Sequence, residues 1–184
     1  MTETTLALCK SAFPGLLMWL SGLCLSNQAL DKPHVDLSKT GTILQQVVSI
    51  PMDERYRFQL RFVFQNRELA AQSAISGQAP GAHHQACKDE ARYATLSEAE
   101  KRETGAALDM EVVVASLDGK TLHSHRFQSR CVDSSGDLTK TRQFGYIDFT
   151  KGKYQLTIIN HVPVPQEVGT EAALMLTGAG AGYP

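Results

Sequence analysis

Arg55-Tyr56-Arg57-Phe58-Gln59-Leu60-Arg61-Phe62-Val63-Phe64 is the stretch that decides the fold. Tyr56, Phe58, Leu60, Phe62 and Phe64 fall on every second position, and Arg55, Arg57, Gln59 and Arg61 fill the places between them. Apolar residues at period two give a β-strand with one buried face, because successive side chains of a strand point to opposite sides of the sheet. A helix would scatter the same rings around its circumference. The segment is therefore expected to be the central core strand.

Shorter strands extend outward from it. Thr42 to Ile50 is rich in Val and Ile and stops at Pro51. Met110, Val112 and Val114 alternate with Asp109 and Glu111, and Asp118-Gly119 signals a hairpin returning through Thr121 to Gln128. After a polar loop from Asp133 to Thr141, Phe144 to Phe149 reads as the next strand. Lys151-Gly152-Lys153 turns the chain into Tyr154, Leu156 and Ile158, with Tyr154 placed as a corner tyrosine, and Ala172 to Thr177 supplies the last strand. About seven half-buried strands, with no strand–helix–strand alternation, call for two packed antiparallel sheets over residues 35–177.

One connection interrupts this pattern. Residues 65–107 are rich in Ala, Gln, Ser and Gly. Leu69 to Ile75 is a candidate helix, and Ser97 with Glu100 forms a capping box that starts a second near Glu98. So long a connection is either a tolerated surface insertion or a functional loop.

The chain has 184 residues, 42% hydrophobic and 20% charged, with a net charge of -1. This is the composition of one globular domain, and it carries neither the basic stripe of a nucleic-acid binder nor a polybasic membrane patch. The first 29 residues read as a signal peptide: Lys10 precedes the apolar run Phe13 to Leu25, which is too short to span a bilayer. Leu20-Ser21-Gly22-Leu23-Cys24 is similar to a lipoprotein signal, which makes Cys24 the candidate lipidation site and a lipid anchor the one candidate membrane contact, with ordinary cleavage near Ser26 or Ala29 as the alternative. Residues 178–184 form a Gly/Ala tail expected to be disordered.

Cys87 and Cys131 remain once the signal is removed. In an oxidising compartment they form a candidate disulfide, closing a loop of about 45 residues and stabilising by roughly 3–4 kcal/mol; two unpaired thiols are the alternative. His83, His84 and Cys87 make a candidate zinc or copper site, against the plainer reading of a solvated loop. His123 and His125 share one strand face and either join such a site or lie exposed. Arg55, Arg57 and Arg61 form a guanidinium face able to engage carboxylates on a partner, or a solvated outer face. No nucleophile elbow, phosphate-binding loop or HExxH motif is present, so neither an enzyme nor a bound cofactor is expected.

The ordered features Val47-Val48-Ser49-Ile50-Pro51, Arg55 to Phe62, Leu117-Asp118-Gly119-Lys120, Lys151-Gly152-Lys153-Tyr154, Val164-Pro165 and Gly169-Thr170 resemble an uncharacterised family of bacterial lipoproteins and periplasmic proteins. The resemblance implies an immunoglobulin-like sandwich, export to the periplasm or the membrane-anchored envelope, and no catalytic residues. It points to a protein-binding module, with an immunity protein that neutralises a secreted toxin as the leading expectation. A periplasmic metal or small-ligand carrier using His83, His84 and Cys87, and a structural envelope lipoprotein, are the alternatives.

Overall fold

The structure is a computed structural model that describes residues 29–30, 33–77 and 90–178. Residues 1–28 of the expected signal peptide, with Cys24, the cluster His83, His84 and Cys87, and the tail beyond Gly178 lie outside the described residues.

Eight strands form two antiparallel four-stranded sheets. They are β1 (Gly41–Ile50), β2 (Glu54–Phe64), β3 (Leu108–Ala115), β4 (Thr121–Ser129), β5 (Ser134–Ser135), β6 (Thr139–Phe149), β7 (Gly152–Asn160) and β8 (Thr170–Gly178). One sheet runs β1-β7-β3-β4 and the other β5-β6-β2-β8. The alternating stretch of β2 sits inside the second sheet, between β6 and β8. Tyr56, Phe58, Leu60 and Phe62 are fully buried. Against them, from the facing sheet, come Val48, Ile50, Met110, Val112, Leu156 and Ile158, all within one continuous core. Each such side chain stabilises by about 1.5–3 kcal/mol through the water it leaves.

Among the described residues of the long connection there are three short helices: α1 (Arg67–Gln72), α2 (Glu90–Ala94) and α3 (Glu98–Glu103). Asn66 caps α1 by accepting from Leu69 N, and Ser97 and Glu100 make the expected reciprocal capping box on α3.

The tight hairpin between β3 and β4 turns on Gly119 at φ 89°, a left-handed conformation that glycine adopts without penalty. Tyr154 behaves as a corner residue: its hydroxyl lies 3.0 Å from Thr150 O, four residues upstream.

Two details differ from the sequence expectation. The strand expected from Phe144 begins earlier: Thr139 to Thr141, expected in the polar loop, and Arg142 and Gln143 after them are the first half of β6. The lead-in before β1, whose residues Val35 to Gly41 read from sequence as polar, also takes part in the fold. Its backbone runs along the free edge of β8, with Ala29 N donating to Leu176 O (2.8 Å) and Val35 N to Ala172 O (2.9 Å). Leu30 and Leu37 from this lead-in enter the core.

The two ends of the sandwich are unlike. At one end the connections are tight turns, 51–53, 116–120 and 150–151. The other end carries every long connection, 65–107, 130–138 and 161–169.

Candidate functional site

The long-loop end is built around two cations that face inward. On β2 the inward residues are Tyr56, Phe58, Leu60 and Phe62, and their partners on β6 are Ile147, Gly145, Arg142 and Lys140. The pairing skips Phe144, a bulge between Phe58 and Gln59 that shifts the phase of β6 by one residue. Beyond the bulge, Lys140 and Arg142 therefore point between the sheets.

Arg142 is completely buried. Its Nη1 donates to Ile75 O and Ala106 O, both at 2.8 Å, and its Nη2 donates to Ser129 O. Burial first, and the charge of Arg130 second, lower its pKa to about 9, so it remains a cation at neutral pH. Lys140 Nζ donates to Gly77 O and lies 5.8 Å from the Phe64 ring. Burial holds its ammonium below the ordinary range, against the opposing pull of Glu167.

The carbonyls that solvate these cations belong to the neck of the 65–107 connection. Its two limbs cross where Gly77 (φ 81°) meets Gly105. A Cβ on Gly105 would stand 2.7 Å from Gly77 N, so only glycine permits the crossing. Ala106 N donates to Ala74 O (2.9 Å), Gly105 N to Arg130 O (2.6 Å), and Glu167 Oε1 accepts from Ile75 N (3.0 Å). Beyond the neck, Tyr93 of α2 lies under the Arg130 guanidinium at 4.0 Å. The neck of the connection is thus seated on the end of the sandwich by its own backbone.

The neighbouring loops are tied to the same end. Phe64 N donates to Leu138 O and Gln65 N to Gly169 O, both at 2.9 Å, and Asn160 Nδ2 donates to the lead-in carbonyls of Leu37 (3.0 Å) and Lys39 (2.8 Å). Apolar side chains stand out from these loops: Leu138, Val162 and, 92% exposed, Val168.

The arginines singled out in the sequence lie elsewhere. Arg55, Arg57 and Arg61 occupy the outer face of β2, opposite Asp148, Tyr146 and Thr141. Arg55 is already engaged with Asp148 at 3.0 Å, and Tyr146 lies 5.9 Å from both the Arg55 and the Arg57 guanidinium. Gln59 between them is buried, so the face is not a continuous row of free charge.

Cys131 is disulfide-bonded, while Cys87, its expected partner, lies outside the described residues. No group of three or more metal-ligating side chains is found among the described residues.

His123 and His125 are exposed, with ring centroids 6.1 Å apart, and neither meets a carboxylate among the described residues. On the other face of the same sheet, Glu111 accepts from Ser124 Oγ (2.5 Å) and lies 3.1 Å from His161 Nε2. The carboxylate stands between hydroxyl and imidazole. A nucleophilic serine needs the imidazole beside it, so this order does not make a triad.

Lys140 and Arg142 are not legible as inward residues. Counting back by twos from Phe149 and Ile147 puts Thr141 and Gln143 inside and both cations outside. The small residue Gly145 in the middle of a strand pattern is the one signal of a bulge that could have reversed the count.

Among solved structures, a protein from Sulfurospirillum deleyianum superposes with a TM-score of 0.58 at 16% identity, over 80% of this chain and 95% of that one. This likeness is one of fold. A β-glucosidase from Streptomyces venezuelae solved in complex with D-glucose is similar at a TM-score of 0.35 and 13% identity, over 84% of this chain and 13% of that one. An insecticidal delta-endotoxin from Bacillus thuringiensis is similar at 0.35 and 12% identity, over 77% of this chain and 19% of that one. At that level neither bears on fold or function. No curated protein matches the chain. Residues 32–177 match the family model described as Domain of unknown function (DUF5625), and the chain belongs to that family.

Proposed function

We propose that this protein is an exported, non-enzymatic recognition module of the bacterial envelope, a sandwich of the immunoglobulin-like kind that binds a protein through its long-loop end. The observation that carries the reading is the seating of the 65–107 neck on Arg142 and Lys140. A loop whose backbone is fixed at its base loses less conformational freedom on binding, and loops held on a rigid scaffold are the usual recognition surface of such folds. Exposed Leu138, Val162 and Val168 supply apolar contact area beside it. The apolar run Phe13 to Leu25 supports export, with Cys24 as the lipidated residue. A secreted toxin neutralised by this protein is the partner class that fits an envelope recognition module of this size.

Crosslinking in the native host, purification and mass spectrometry test the reading. One recurrent partner is expected, with crosslinks on residues 65–77, 90–107, 130–138 and 161–169. Crosslinks spread evenly over the tight-turn end and both sheet faces would overturn it.

A further inference from the structure

The two sheets differ in how their edges end. In the β5-β6-β2-β8 sheet, β5 pairs with the end of β6, and the lead-in lies along β8 with a bridge at His34 and Ala173. In the other sheet, β4 pairs with β3 alone among the described residues. Thr121 through Arg126 of β4 are exposed at six consecutive positions, so both faces of the strand as well as its edge stand in solvent. Native proteins usually blunt such an edge, because unpaired N–H and C=O groups recruit another strand.

We infer that β4 is a docking edge for an extended, acidic segment of a protein partner, which adds to the sheet as a fifth strand. From Lys120 to Arg130 the chain carries no carboxylate. His123 and His125 stand side by side at the open lip of the sandwich, where their neighbours on β3 are Val114 and Val112. The carboxylates of β3, Asp109 and Glu111, lie on the opposite face and are engaged by Arg126 and by Ser124 with His161. Among the described residues the lip therefore offers imidazole donors that no carboxylate receives, while Ser124 faces the other way. A strand with acidic residues at every second position and apolar ones between complements both faces. A second copy of this chain does not: antiparallel pairing of two β4 edges centred on Ser124 sets His123 against His125 and brings no carboxylate to either. The inference rests on the recognition reading above but can fail without it.

The test uses the full chain and a synthetic nine-residue peptide, Thr-Glu-Val-Glu-Val-Glu-Val-Glu-Thr, with amide hydrogen exchange as readout. Protection of the amides from Thr121 to Phe127 is expected, and the same peptide with Lys for Glu should bind at least about tenfold more weakly. The double variant H123E/H125E should reverse that preference; both side chains are exposed, so the fold does not depend on them. Protection at β1 instead of β4, equal binding of both peptides, or dimerisation of the chain through β4 overturns the inference. Exclusion of the peptide with partner crosslinks still at the long-loop end sinks the edge and leaves the loop end standing.

Discussion

Arg142 stands directly opposite Leu60 across the β2–β6 ladder, a guanidinium paired with a leucine on the inner side of a sheet. Water cannot reach it; its Nη1 and Nη2 donate to three backbone carbonyls, those of Ile75, Ala106 and Ser129, while its Nε has no hydrogen-bond partner among the described residues. The sandwich uses this cation to hold the base of its longest connection. Removing the charge alone would strand the carbonyls, so the cation and the neck stand or fall together.

Arg142→Met should therefore destabilise the protein by about 3 kcal/mol or more, even though methionine suits an apolar interior, because three buried acceptors lose their donors. Urea unfolding measures this. Exchange at the amides of Gly105 and Ala106 should speed up more than exchange in β3. An unchanged midpoint would mean that the neck does not need the arginine.

Gly145 faces the Phe127 ring across the sheets, and a Cβ there would stand 2.7 Å from the ring's Cδ1. Gly145→Ala should cost about 1–3 kcal/mol by overpacking. Phe127→Leu in the same chain should recover part of that loss, and the double-mutant cycle gives the coupling directly. Additive effects would show that the contact is relieved elsewhere.

Gly105→Ala sets its new methyl against the backbone of the opposite limb rather than against a side chain that can turn away. The two limbs of the neck must then separate. Limited proteolysis should cut between residues 74 and 107 in the variant while the two sheets stay intact, as read by fragment mass. Cleavage identical to the parent would argue against the glycine crossing.

Asp109 is nearly buried and takes both nitrogens of the Arg126 fork, Nε at 2.6 Å and Nη2 at 2.7 Å. The hydrogen bonds from Arg126, ahead of all other causes, lower its pKa below the ordinary 3.8. A carboxylate depressed in the folded state binds fewer protons there than in the unfolded chain. Its stabilisation is thus complete above pH 3.8 and is lost as the pH falls through the lower folded value. Asp109→Asn should be less stable near neutrality and should lose less of its remaining stability between about pH 4 and pH 2 than the parent. Parallel stability–pH curves for the two proteins would rule out this role.

Periodicity made most of the fold legible. The five apolar side chains from Tyr56 to Phe64 could be buried together only on a strand, and Asp118-Gly119 and the Ser97–Glu100 capping box are local signals that act within a few residues. These features depend on backbone sterics and on neighbours in the chain, so the sequence by itself determined them. It could not determine which face Lys140 and Arg142 take. A bulge at Phe144 reverses inside and outside for the rest of β6, because a one-residue slip in a period of two moves every side chain to the other face. Beside the bulge, the Phe127 ring of the other sheet fills the space that Gly145 leaves. Likewise, the edge of β8 is covered by the lead-in and that of β4 is left open by the way distant segments meet. Only the tertiary structure decides such things, since the energies involved arise between residues far apart in the chain.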